Sequence, residues 1–371
     1  MFRRGSSRGV RPRRGESLEA LLERVFRLYY SARPCLEEPP KISMREFAFQ
    51  LFGREGYVRH ISFESYEEML KFISREAPKH SYYSIALYEL PEAGSMEEKS
   101  WLGSDLLFDI DLDHAEACSE SSIQAPGGVL LSDECLLEGY RLARKLEAMV
   151  RRDLSPERTV LYFTGNRGFH LRVECEDCMG LTRQERREIA RYFAGEGVEP
   201  GYIFPSTGRR RRERYLPALP EPGDPGWRGW IAPILRAANP NSRGLRGGWA
   251  EQVEEAIREA RVPIDVMVTQ DPSRLTRILG SLNGKGALLA VEAGESFSPS
   301  WKALSPFRGT AEARFSIGLE GYRLLGTSVS ARRGEVQSLP AGLALHLATR
   351  GAVEIVGGEL VVGESACGRP L

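Results

Sequence analysis

The segment Leu106 to His114, LLFDIDLDH, carries an aspartate at every second position of a run that is otherwise apolar until its histidine. Side chains alternate along a strand, so Asp109, Asp111 and Asp113 share one face while Phe108, Ile110 and Leu112 share the other. One face must pack and the other must meet water or cations. Carboxylates spaced about 6.6–7 Å apart along one strand face repel each other. A solvated edge strand relieves that repulsion. So does a site in which carboxylate oxygens hold a hard divalent cation such as Mg²⁺. The tripeptide Asp-x-Asp does not choose between them, and the rest of the 371-residue chain has to.

The length allows a full core, organised as two or three compact units or as one elaborated α/β domain. Formal net charge is zero, so overall charge argues for neither nucleic acid nor membrane as a partner. The distribution says more. Arg3, Arg4, Arg8, Arg11, Arg13 and Arg14 crowd the N-terminus and Arg209 to Arg212 form a second run, each either a phosphate contact or a solvated surface. No apolar run reaches the roughly 18 residues of a membrane helix, and the arginine-rich start lacks the apolar core of a signal peptide. A soluble, cytoplasmic protein without a membrane partner is expected. Six unevenly spaced cysteines read as plain thiols rather than as a disulfide framework.

Along the chain, residues 1–16 read as a disordered basic tail. Leu18, Leu21, Leu22, Val25, Phe26 and Tyr29 fall at helical spacing. REFAFQLF and YVRHISF read as two strands around a Gly53 to Gly56 turn, followed by a helix from Ser65 to Arg75 and a strand YYSIALYEL. After the acidic strand come a polar loop, Ala115 to Gly128, and a helix from Cys135 to Arg152. RTVLYFTGNRGFHLRVE reads as a hairpin whose glycines let backbone approach a ligand. Thr182 and Glu185 form a capping box. Residues 196–250 are expected as a helical or irregular insertion between a first core segment, 17–195, and a second, 251–371. In the latter, EQVEEAIREA reads as a helix, PIDVMVT as a strand and PSRLTRI as a helix. Asp271 is the expected cap of that last helix, leaving Asp265 for other work.

Three separated groups then look mutually useful: Asp109 with Asp111, the tip TGNRGFH from Thr164 to His170, and Asp265 followed by Arg274, Arg277 and Lys285. Paired acids with a distant third suit two-metal phosphoryl transfer, and the basic residues suit a triphosphate. Taken one at a time, His170 could be a core histidine and Asp265 a helix cap.

The ordered motifs REFAF, VRHISF, YYSIALYELP…WLGSDLLFDIDLDH, LYFTGNRGFHLRV, SRLTRILGSLNGKG and LPAGLALHLATRGAVEIV resemble the small catalytic subunit of archaeal and eukaryotic DNA primase. The resemblance spans nearly the whole chain outside the tail and much of 196–248. It implies an α/β catalytic core of mixed sheets flanked by helices, with a smaller, partly helical insertion. It implies that Asp109, Asp111 and Asp265 bind Mg²⁺ or Mn²⁺, and that Arg59, Thr164, Gly165, Asn166, Arg167, His170, Arg277, Asn283 and Lys285 surround a nucleoside triphosphate. It further implies short-primer synthesis on single-stranded DNA during replication, in an intracellular, nucleoid-associated heterodimer with a large primase subunit. Archaeal members also incorporate deoxynucleotides.

Two positions depart from the family pattern: Asn166 replaces an arginine of the tip, and Asn283 a histidine after Gly-Ser-Leu. Both are expected to weaken nucleotide binding, because each gives up a charge-assisted hydrogen bond. The family also carries a Cys/His zinc knuckle after the acidic strand. Here a site from Cys118, Cys135, Cys175 and Cys178 is weighed against plain thiols, and thiols are preferred. The rivals are a repair-type primase-polymerase and a degenerate, non-catalytic paralogue that binds nucleic acid or assists assembly. An Asp-x-Asp glycosyltransferase leaves the tip and the basic group unexplained.

Overall fold

The computed structural model describes residues 9–112, 118, 121–205, 217–245 and 248–363. Asp113, His114 and the Arg209 to Arg212 run therefore lie outside the described residues. The acidic strand, Leu106–Asp111, is the edge of a four-stranded antiparallel sheet, whose order is Val291–Glu292, Arg158–Phe163, Gly168–Glu174, Leu106–Asp111. The alternation read from the sequence holds: Phe108 and Ile110 are buried, Asp109 is half-buried and Asp111 exposed. Beneath that apolar face runs helix Asp133–Leu154. Leu136, Ala143, Leu146, Met149 and Val150 of this helix share a core with Phe108 and Ile110, the spacing a one-sided helix needs. Its N-cap is Ser132, whose Oγ accepts from the Cys135 N–H at 3.1 Å.

A second antiparallel sheet has the order Leu275–Arg277, His80–Ser84, Phe47–Gln50, Val58–Ile61. Helices Leu18–Ser31 and Tyr66–Glu76 cover it through Phe26, Tyr30, Met69 and Ile73. The two sheets meet along a polar seam. The Tyr162 hydroxyl of the first lies 2.6 Å from Thr276 Oγ1 of the second. Arg172, fully buried in the first, donates to Glu37 Oε1 at 2.7 Å, and Glu37 in turn accepts from the Leu279 N–H. Toward the C-terminus, strands Val336–Pro340, Phe307–Phe315 and Val353–Val362 form a third sheet against the buried helix Ala341–Thr349. Among the described residues no helix is long and apolar enough to cross a membrane.

The α/β reading is borne out, and several local readings are corrected. PIDVMVT is not a strand: the Asp265 carboxylate accepts from the Met267 N–H at 2.8 Å and opens a short helix, Val266–Gln270. PSRLTRI is not a helix: Leu275–Arg277 pairs with Tyr82, Tyr83 and Ser84 as an edge strand. In both places short segments with weak intrinsic preference follow their tertiary partners. YYSIALYEL is broken at Ile85 into His80–Ser84 and Ala86–Tyr88, the latter pairing with Trp101–Ser104. Within the expected loop, Ile123–Ala125 and Gly128–Leu130 form a small hairpin. Part of the expected disordered tail is tied down, since Val10 exchanges two backbone hydrogen bonds with Leu360. Helices Trp227–Ala238 and Trp249–Ala260 place Trp227, Ile231, Val253 and Ile257 in the same core as the first sheet.

The cysteines are not plain thiols. Cys118 is bonded to Cys135 and Cys175 to Cys178.

One buried arginine secures the entry to the acidic strand. Arg186, on helix Arg183–Ala194, donates to the carbonyls of Ser104 at 2.6 Å, Asp105 at 2.7 Å, Leu181 at 3.0 Å and Cys178 at 3.2 Å. Burial lowers its pKa to about 10, so the guanidinium is charged at neutral pH. Arg186→Met strips several buried carbonyls of their donors at about 1–3 kcal/mol each. Denaturant unfolding should show a loss of about 3 kcal/mol or more; an unchanged midpoint would mean that water replaces the guanidinium.

Candidate active site

The register between the acidic strand and the tip strand sets the first wall of the site. His170 stands opposite Asp109 and Gly168 opposite Asp111. His170 Nε2 lies 3.2 Å from Asp109 Oδ1. Burial works against the charge on Asp109, but His170 and, further off, Arg274 outweigh it and hold the carboxyl below the usual carboxylate range. The tip itself needs its glycines. Gly165 has φ +76°, and a Cβ at Gly168 would stand 2.6 Å from the Ile110 carbonyl oxygen. Only glycine allows the turn to press this closely against the acidic strand.

The second wall comes from the other sheet. Arg277, buried, donates from Nη2 to the Tyr82 hydroxyl at 2.8 Å and lies 3.2 Å from His80 Nδ1. Its Nη1 is buried with no hydrogen-bond partner among the described residues. His80 is forced to accept: burial first, then Arg277, Lys285 and Lys79, lower its pKa to about 2. Arg59 is aimed by Glu46, which takes its Nε at 3.0 Å and its Nη2 at 3.2 Å.

Between the walls lies a cavity of about 520 Å³. Arg59, Arg167, Arg274, Arg277 and Lys285 line it against Asp109, Asp111 and Asp271, five cations to three carboxylates, a local surplus of two on a chain of zero net charge. Such a space suits a polyanion beside carboxylates that can hold cations.

Comparison with known proteins gives this arrangement its family. A model described as DNA primase small subunit matches residues 108–294. The DNA primase small subunit PriS of Aeropyrum pernix is 51% identical over 350 residues, covering 94% of this chain and 97% of that protein. Those of Staphylothermus marinus and Sulfolobus acidocaldarius are 31% and 35% identical, over 94% and 89% of this chain and 98% and 94% of theirs. The chain belongs to the DNA primase small subunit family.

Of the residues that the family resemblance implied, the cavity gathers Asp109, Asp111, Arg59, Thr164, Asn166, Arg167, His170, Arg277, Asn283 and Lys285. Gly165 shapes the tip behind them. Asp265 is close by, since its N–H donates to the Asp109 carbonyl at 3.0 Å, but its carboxylate caps the following helix and does not line the cavity. Among the described residues no three His, Cys, Asp or Glu side chains are grouped to hold one metal ion. Thr164 spends its hydroxyl on the Gly168 carbonyl at 3.0 Å, closing the tip.

The two asparagines have structural work that the sequence did not reveal. Asn166 Oδ1 accepts from Arg350 Nη2 at 2.6 Å. Asn283 bridges, donating to the Thr164 carbonyl at 2.9 Å and accepting from the Lys285 N–H at 3.0 Å. Sequence reasoning missed Tyr57, His80 and Tyr82 on the second wall. The His80 and Tyr82 signal was in the text: in HSYYS they alternate with Ser81 and Tyr83, which face the core.

Asn166→Arg should therefore weaken the tip, because it sets a second guanidinium against Arg350. The expected cost is about 1–3 kcal/mol in unfolding, with poorer nucleotide binding in titration; a gain in both would restore the lost-cation reading. For His80 the sign is also fixed. Its folded pKa of about 2 lies below the ordinary value of 6.5, so the unfolded chain takes up the proton first and stability falls as pH drops below about 6.5. Between pH 6 and 4, His80→Gln should shallow the wild-type decline by about 1.4 kcal/mol per pH unit, read from unfolding midpoints.

Proposed function

We propose that the chain is the catalytic subunit of a DNA primase that joins nucleotides into short RNA primers on single-stranded DNA for replication. The observation that carries this reading is the cavity, where Asp109 and Asp111 face cations drawn from both sheets and Arg277 keeps a buried N–H without a partner among the described residues. A nucleoside triphosphate supplies the anionic oxygens that such donors need. The resemblance extends the reading to deoxynucleotides, to a large primase subunit as partner, and to an intracellular place at the nucleoid.

Asp109 and Asp111 offer the hard oxygen ligands that Mg²⁺ and Mn²⁺ take, so the residues present fit the implied ions. Asp265 would join them only by leaving its cap on the Met267 N–H. When bound, divalent ions neutralise charge on the attacking and leaving oxygens. The chain's own groups do the rest. Arg167, Arg274, Arg277 and Lys285 hold the triphosphate, and His170 orients it, so that the reacting phosphorus meets the primer 3′-hydroxyl in line. The non-catalytic alternative loses its main support, because Asn166 and Asn283 hold structure rather than mark decay.

Asp109→Asn and Asp111→Asn should each fold normally and fail to add nucleotides, since each removes a charged ligand at nearly constant volume. A primer-synthesis assay with the purified chain, alone and with its larger subunit, decides this. Extension near the wild-type rate by either variant would overturn the assignment.

A further inference from the structure

The nucleotidyl-transfer chemistry above makes no use of the hydroxyl of Tyr162, although it lies two contacts from Asp109. Tyr162 is fully buried in strand Arg158–Phe163. Three polar groups converge on its oxygen: Thr276 Oγ1 at 2.6 Å, His170 Nδ1 at 2.8 Å and the Arg277 backbone N–H at 3.4 Å. A phenol offers one proton and two lone pairs. The Arg277 N–H can only donate, which occupies one lone pair.

Thr276 is fully buried, and among the described residues Tyr162 is the sole hydrogen-bond partner of its hydroxyl. If Thr276 donates, the second lone pair is filled and the phenol proton goes to His170 Nδ1. The imidazole proton then sits on Nε2, which faces Asp109 Oδ1 at 3.2 Å and lines the cavity. The opposite tautomer would set a bare Nε2 lone pair against a carboxylate, with no proton between them. Every group is satisfied only when the chain runs Thr276 to Tyr162 to His170 to Asp109.

We propose that Tyr162 is a positioning residue: with Thr276 it makes His170 Nδ1 a hydrogen-bond acceptor and so directs the ring's Nε2–H into the cavity. Thr276 belongs to the second sheet and His170 to the first, so the same hydroxyl sets the proton and ties the two walls together. The consequence for turnover rests on the nucleotidyl-transfer reading, whereas the placement of the proton does not. With nucleotide bound, Nε2–H is a donor fixed in direction before a phosphate oxygen arrives. Loss of Tyr162 should therefore appear in nucleotide capture more than in the chemical step.

The test uses the full chain labelled with ¹⁵N-histidine, with the His170 resonances assigned by their loss in His170→Gln. Long-range ¹H–¹⁵N spectra at pH 7.5 should show the Nε2–H tautomer in the wild type. Tyr162→Phe should turn it into a tautomer mixture, with the thermal midpoint recorded alongside. Thr276→Val, which keeps the tyrosine in place, should shift the signals part of the way and guards against a phenylalanine variant that fails to fold. In primer synthesis, Tyr162→Phe should raise KM for nucleotide about tenfold, the equivalent of one such hydrogen bond, with kcat within about twofold. A wild-type ring that is doubly protonated or mixed, or an unchanged tautomer in both variants, overturns the proposal. So does a KM that stays put while the tautomer shifts. A tautomer shift in a chain that makes no primer under any condition would uphold the positioning role and overturn the nucleotidyl-transfer reading alone.

Discussion

The antiparallel register between Leu106–Asp111 and Gly168–Glu174 is the constraint on which the rest of the site depends. A slip of one residue would turn Asp109 and Asp111 toward the core and Phe108 and Ile110 toward the cavity, because side chains alternate with a period of two. The register is held from both faces. Below, Phe108 and Ile110 are locked into the core of helix Asp133–Leu154; above, Gly168 sits so close to the Ile110 carbonyl that no other residue fits. With that pairing in place, His170 has no choice but to stand against Asp109.

Around this pair the fold segregates charge that cancels over the whole chain. Asp109 and Asp111 come from one edge strand and Asp271 from the end of helix Val266–Gln270, while the cations arrive from the tip, from the second sheet and from the turns beside it. Buried and part-buried polar contacts hold these sources in relation to one another: Tyr162 with Thr276, Arg172 with Glu37, Arg59 with Glu46. Removing one partner from such a contact costs more than the contact itself contributes, because the other is left desolvated. The walls of the cavity are thus rigid for the same reason that they are polar.

Strong periodicities were legible: the alternation at Asp109 and Asp111, the helical stripe from Leu18 to Tyr29, the Thr182 capping box and the tip hairpin all stand where the pattern put them. Short segments were not. Val266–Gln270 and Leu275–Arg277 exchanged their expected states because five residues and three residues carry too little local preference to resist a cap and a strand edge. The asparagines were misread for a related reason. The family resemblance implies that a cation is missing at Asn166 and Asn283, but not that Arg350 and the Thr164 carbonyl are waiting for an amide.

By itself the sequence determined the family, the edge strand of acids and the glycine tip that reaches it, since these follow from residue spacing and from what backbone geometry allows. Tertiary structure alone decided which groups meet across the two sheets. Tyr162 and Thr276 are separated by 114 residues, and nothing local to either marks it as a partner of the other. Their contact exists because two sheets, each ordered by its own pattern, meet at these residues, and burial then obliges the hydroxyls between them to find a mate.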